Sequence, residues 1–223
     1  HCVVLTPFSH GITKRMENED LSIFDYVFCW LGNTNLILSI IKLIEDKMNL
    51  EHDIQEAGVQ MILLVEDSIR FYSSILPNLY NYILEQSKNF SKEALNRHAA
   101  TMRMRGRPKV VLARTYEEAQ KLYDKYSNNT LGVISDARFP LKSAAKAFGN
   151  KVETEAKPKH RTDTFGREKC PDAGLQLFRY IRKNDPFVPL ILESSESDNR
   201  AKAEAEGFRF VDKNSKKMSV DLR

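Results

Sequence analysis

The sequence predicts an α/β fold built on a parallel sheet with helices on both faces, and three observations carry that expectation. From Met61 onward, short apolar runs alternate with helix-patterned stretches in the order β-α-β-α-β-α-β-α-β, as strands joined by helical crossovers do. Met61 to Val65 (Met-Ile-Leu-Leu-Val) is continuously apolar, as expected of a strand buried on both faces. The 223 residues contain 9 Gly and 8 Pro, against roughly 16 and 11 at average usage. That deficit favours a helix-rich chain over a turn-rich all-β one.

The elements follow in order. Val3 to Leu5 and Tyr26 to Trp30 read as short strands. Asn33 to Asn49 reads as a helix, with Leu36, Ile37, Ile40, Ile41 and Ile44 at helical spacing. Glu51 to Gln60 is polar and reads as a linker. After the Met61 strand, Ser68 to about Gly106 carries Ile69, Tyr72, Ile75, Leu76, Leu79, Tyr80 and Ile83 on one helical face. Pro77 is a candidate kink, and Ser91 a candidate start for a second helical segment. Lys109–Ala113, Leu131–Ser135, Val188–Leu192 and Phe208–Val211 read as strands. Thr115–Tyr126, Ala173–Lys183 and Ser197–Glu206 read as helices, the last ended by Gly207. Leu141 to Pro171 is Lys-rich and weakly patterned, so it reads as a long loop.

Composition excludes several classes. Net charge is +4 from 34 basic and 30 acidic residues, too balanced to argue for nucleic acid. Arg97, Arg103, Arg105, Arg107 and Lys109 read as a solvated face, and the loop basic residues His160, Arg161 and Arg167 as a flexible surface. Cys2, Cys29 and Cys170 are far apart and form no disulfide or zinc pattern, which fits a reducing, cytoplasmic setting. The longest apolar candidate, Phe28 to Ile44, is broken by Gly32, Asn33, Asn35 and Lys42, so no membrane span is expected. Nucleotide-binding glycine motifs and metal-spaced histidines are absent from the sequence. The chain opens at His1-Cys2-Val3-Val4-Leu5 inside an expected strand, as a piece of a longer protein would.

Ligands of a parallel α/β sheet bind outside the carboxyl ends of its strands. The strands here end in Glu66-Asp67, Asp136, Ser194-Ser195 and Asp212-Lys213. Gathered carboxylates repel one another, and a hard cation such as Mg²⁺ relieves the repulsion. A lysine supplies a point charge for phosphate, and a hydroxyl can donate to a phosphoryl oxygen. The set suits a phosphoryl group on an aspartate.

These residues resemble the response-regulator receiver family. Met-Ile-Leu-Leu-Val-Glu66-Asp67-Ser68 is similar to its acidic first strand end. Val-Ile-Ser-Asp136-Ala-Arg-Phe-Pro140 is similar to its phosphoacceptor strand, D-x-x-(M/L)-P. Val-Pro189-Leu-Ile-Leu-Glu-Ser194-Ser195 resembles the fourth strand. Gly207-Phe-Arg-Phe210-Val-Asp-Lys213-Asn214 resembles the lysine-bearing fifth strand, with Asn214 where the family usually has proline. Asp172-Ala173-Gly174 resembles the Asp-Gly that opens the third helix. The resemblance implies a flavodoxin-like, doubly wound, five-stranded parallel sheet of order 2-1-3-4-5. It implies Asp136 as phosphoacceptor, with Mg²⁺ held by Glu66 or Asp67, by Asp136 and by the backbone carbonyl of Arg138. Ser194 and Lys213 become phosphoryl contacts, and Phe210 the switch aromatic. The implied partners are a histidine kinase or small phosphodonor and an output domain in the same or another chain, as in a bacterial phosphorelay. The alternative is a pseudo-receiver, a scaffold for interaction or dimerisation that is never phosphorylated. Turnover beyond self-phosphorylation and self-dephosphorylation is not implied, since Asp136 lacks the D-x-D of a phosphatase of similar fold.

Residues 1–58 resemble the back half of a degenerate receiver. Val3-Val4-Leu5-Thr6-Pro7 stands as a fourth strand, and Phe24 to Trp30 as a fifth with Cys29 in place of lysine. Residues 59–223 then form a second receiver, with an extended first helical region (69–107) and the loop 141–171. An open half sheet calls for a homodimer, swapping or packing on the second unit. Tandem receivers of this look resemble the front end of certain bacterial proteins that continue into a phosphoenolpyruvate-synthase-like region.

Overall fold

A computed structural model describes residues 2–7, 24–142, 163 and 167–215. The central sheet consists of β3 (Met61–Val65), β4 (Lys109–Ala113), β5 (Thr130–Asp136), β8 (Leu190–Ser194) and β9 (Arg209–Asp212), in the order β4-β3-β5-β8-β9. Counted from β3, that is the expected order 2-1-3-4-5. Every neighbouring pair is parallel, with Val65 beside Ala113 and Ser135, Asp136 beside Glu193, and Ser194 beside Asp212. All five carboxyl ends therefore reach one edge of the sheet. The fold is flavodoxin-like and receiver-like by strand order, direction and crossover helices.

Alternate residues of the apolar strands serve two cores. Leu63, Val65, Val111 and Val133 pack under α4 (Tyr116–Tyr126), α5 (Ala173–Asn184) and α6 (Asp198–Ala205). Leu64, Val110, Leu112 and Ile134 pack under α1 (Asn35–Ala57) and α2 (Ile69–Lys92). The first segment joins this second core. Its strands β1 (Val3–Pro7) and β2 (Tyr26–Trp30) pair in parallel as a separate two-stranded sheet. Phe28 meets Tyr72 edge-on at 5.4 Å, the Tyr72 hydroxyl donates to the Val27 carbonyl, and the Cys29 amide donates to Ser73 Oγ at 3.0 Å.

Asp46 of α1 fixes this packing. Its carboxylate is fully buried and accepts from Arg107 (2.6 and 3.0 Å), from the Tyr80 hydroxyl (2.9 Å) and from the Val110 amide (2.9 Å). Burial opposes the Arg107 charge, but Asp46 outweighs it and holds the guanidinium pKa up. Lys109 is buried between Asp46 (3.8 Å) and Asp53 (2.5 Å). The expected solvated basic face is thus corrected at Arg107 and Lys109, because α1 brings them carboxylates from over fifty residues away.

Three other expectations change. The polar stretch Glu51–Gln60 is no linker as far as Ala57. α1 continues through it on the inner residues Leu50 and Ile54 and stops at Gly58, whose φ of +60° suits glycine. Helix α2 contains Pro77 and continues through Ser91, so the second helical segment starts later than expected: α3 (Arg97–Arg105) is capped by Asn96, which accepts from the Ala99 amide at 2.8 Å. In the 141–171 region, β7 (Lys169–Cys170) pairs antiparallel with β6 (Phe139–Pro140). Arg167 is buried there against Asp163 at 2.6 Å, so it is not a flexible surface residue. His160 and Arg161 lie outside the described residues. Among the described residues, no helix is long and apolar enough to cross a membrane.

Candidate functional site

The chain leaves β3 with one more ladder bond, from the Glu66 amide to the Ala113 carbonyl at 3.0 Å. Glu66 and Asp67 then turn under the start of α2, both fully buried. Glu66 Oε1 accepts from the Ser68 amide at 3.0 Å, and its Oε2 takes the Lys213 ammonium. Asp136 closes β5, accepts from the Ala137 amide at 2.8 Å and meets the same ammonium at 2.9 Å. Lys213 is positioned by its own amide, which donates to the Ser194 carbonyl at 3.0 Å, and its ammonium lies 4.4 Å from the centre of the Phe71 ring. One lysine therefore bridges the ends of β3 and β5 from the end of β9.

The remaining expected residues lie around this bridge. Ser194 Oγ accepts from Asn199 Nδ2 (2.9 Å) and from the Glu196 amide (3.1 Å), at the start of α6. Arg138 lies in the turn between β5 and β6 and extends to Glu196 at 3.0 Å. Phe210 is half-buried on β9 under the Arg200 guanidinium, 4.9 Å from its ring centre. Gly174 sits where α5 meets the turn after Asp136. Its amide donates to the Ala137 carbonyl at 3.1 Å, and a Cβ there would fall 2.3 Å from the Asp136 carbonyl oxygen.

Two further charged groups of the site carry little signal in the sequence. Glu193 is the β8 neighbour of Asp136, and both its carboxyl oxygens are buried without a hydrogen-bond partner among the described residues. Its one signal was an acid inside an apolar strand. Lys169 comes from β7 and places its ammonium 2.6 Å from Asp67 Oδ2, while Asp67 Oδ1 has no hydrogen-bond partner among the described residues. No spacing or periodicity pointed to it.

Burial dominates the electrostatics. It pushes the Glu66 carboxyl up to about 8 against the pull of Lys213. Asp67 rises to about 6 against Lys169, and Glu193 to about 7 against Lys213. Burial also works against the Lys213 ammonium, but Asp136, Glu66 and Glu193 together outweigh it and drive its pKa up. Glu66, Asp67 and Asp136 each offer an oxygen within 4.8 Å of the other two. Hard carboxylate donors and the orphaned, buried Asp67 Oδ1 fit a divalent cation such as Mg²⁺.

No family model matches the sequence, and no curated protein matches it. Among solved structures, the chain is similar to a crystal structure of a response regulator receiver domain protein from Clostridium thermocellum. The identity is 18%, the match covers 74% of this chain and 90% of that one, and the TM-score is 0.39.

Proposed function

We propose that the chain is a signal-transduction receiver in which Asp136 accepts a phosphoryl group. The observation that carries this reading is Lys213 spanning Asp136 and Glu66 at the carboxyl edge of the sheet. An Asp136 carboxylate oxygen attacks phosphorus in line with the donor's leaving atom. The new O–P bond forms as the donor's P–O or P–N bond breaks, and that electron pair departs with the donor. Lys213 holds its charge against the oxygens of the moving group. Ser194, whose oxygen already accepts two N–H bonds, donates its own O–H to a phosphoryl oxygen. Glu66, Asp67, Asp136 and the Arg138 carbonyl would hold Mg²⁺, which neutralises charge as a Lewis acid when bound. Phosphorylation draws Ser194 inward, lets Phe210 repack from its place beneath Arg200 and changes the surface offered to an output domain.

The donor is a histidine kinase or a small phosphodonor, and the setting a cytoplasmic bacterial phosphorelay. Residues 1–58 are the back half of a degenerate receiver, a reading supported by the parallel β1–β2 pair followed by α1. A phosphorylation-independent scaffold is the second reading, and the lysine on Asp67 favours it. Intact mass after incubation with acetyl phosphate and Mg²⁺ separates the two. The receiver gains a single phosphoryl group on wild type and none on Asp136→Ala, which also loses Mg²⁺-dependent fluoroberyllate binding. No added mass, or fluoroberyllate binding retained by Asp136→Ala, overturns the phosphoacceptor assignment.

A further inference from the structure

We infer that Lys169 is a built-in cation that competes with a divalent metal for Asp67 and so sets the metal affinity of the site. The inference rests on the metal site proposed above. Three described features carry it. The Lys169 ammonium stands 2.6 Å from Asp67 Oδ2, a fully buried carboxylate that contributes to the three-carboxylate cluster. The other Asp67 oxygen is buried and has no hydrogen-bond partner among the described residues, so the single ammonium leaves half of that carboxylate unsatisfied. An ammonium neutralises one charge, whereas a divalent ion with its waters can serve Asp67, Glu66 and Asp136 together.

The lysine is delivered rather than incidental. Residue 169 pairs with Pro140 and residue 170 with Phe139 in the β6–β7 ladder, and Phe139 is fully buried four residues after Ser135. Two residues upstream, the Arg167 amide and guanidinium both bond Asp163, each at 2.7 Å. The ladder is two residues long, so its hold on Lys169 is local. A metal entering at Asp67 meets the ammonium as a like charge in a site of low dielectric, where such repulsion is large. Lys169 must swing away or weaken the metal. Metal loading and the seating of β7 are thereby two ends of one equilibrium, and each biases the other by the same factor.

Isothermal titration calorimetry of the full chain with Mg²⁺ tests this on wild type, Lys169→Met and Lys169→Arg. Methionine keeps the apolar stem and removes the charge, and arginine keeps the charge. The expected result is Mg²⁺ binding tighter by roughly tenfold or more in Lys169→Met, the scale of deleting one adjacent like charge, with Lys169→Arg near wild type. Lys169→Gln replaces the methionine variant if that one does not fold. A second readout is thermal: Mg²⁺ raises the Tm of Lys169→Met by more than it raises that of wild type. A measurable wild-type affinity that the uncharged variants leave unchanged or weaken overturns the inference and leaves the metal site standing. Absence of Mg²⁺ binding in wild type and in both uncharged variants overturns the metal site itself, and the inference with it.

Discussion

Asp46→Ala removes the acceptor on which the first segment and the sheet are joined. The carboxylate is fully buried, and it faces Arg107 and Lys109, which are 5% and 4% exposed. Breaking one partner of a buried ion pair costs about 3–5 kcal/mol, because the surviving charge is left in a dry site. Lys109 keeps Asp53 at 2.5 Å, which places the loss at about 3 kcal/mol, the lower end of that range. The Tyr80 hydroxyl and the Val110 amide also lose their acceptor. Urea unfolding followed by circular dichroism measures the change, with Arg107→Met and the double variant completing a cycle. The double variant is expected to lose less than the sum of the singles, since no orphaned guanidinium remains. A loss under about 1 kcal/mol for Asp46→Ala, or additivity within about 0.5 kcal/mol, refutes the reasoning. A single transition in wild type goes with the shared core. Two transitions mean that residues 1–58 fold as a unit of their own.

Two further outcomes are expected. Gly174→Ala forces a Cβ to 2.3 Å from the Asp136 carbonyl oxygen and 2.8 Å from Leu192 Cδ1; overpacking of this kind costs about 1–3 kcal/mol, and Mg²⁺ affinity should fall with Tm because the displaced backbone carries Asp136. An unchanged Tm would refute the close approach. Glu193 keeps its proton in the folded state up to about pH 7 but loses it near 4.5 when unfolded. The unfolded chain therefore binds fewer protons across that window, and stability drops as pH rises through it and levels off above. Glu193→Gln should match wild type near pH 4 and exceed it at pH 8 by about 3 kcal/mol at most, at 1.36 kcal/mol per pH unit. Equal denaturation midpoints at pH 8 would show that the carboxyl is not strained by burial.

The strands were legible because each carries a short apolar run; β3, β4 and β8 are buried along nearly their whole length, whereas the edge strand β9 shows only Phe210 and Val211 between Arg209 and Asp212. Their parallel direction then brings Glu66, Asp67, Asp136, Ser194 and Lys213 to one edge, so the geometry of the candidate site follows from reading strand ends. What escaped depends on pairs far apart in the chain. Arg107 and Lys109 look solvent-facing until α1 delivers Asp46 and Asp53. The last two turns of α1 look like linker because only Leu50 and Ile54 mark the inner face. Lys169 reaches Asp67 through a two-residue antiparallel ladder, too short to leave any periodicity.

The order of synthesis gives Asp46 another consequence. It precedes Val110, its partner on β4, by 64 residues, which at about 5–20 residues per second is roughly 3–13 s on a translating ribosome. During that interval α1 has its stripe of Leu36, Leu43 and Leu50 but no sheet to cover. Asp46 interrupts that stripe between Leu43 and Leu50, and a carboxylate among apolar residues is the kind of interruption that opposes self-association of an exposed apolar segment. The same carboxylate that ties the finished core together thus interrupts the apolar face of its helix until its cationic partners Arg107 and Lys109 emerge.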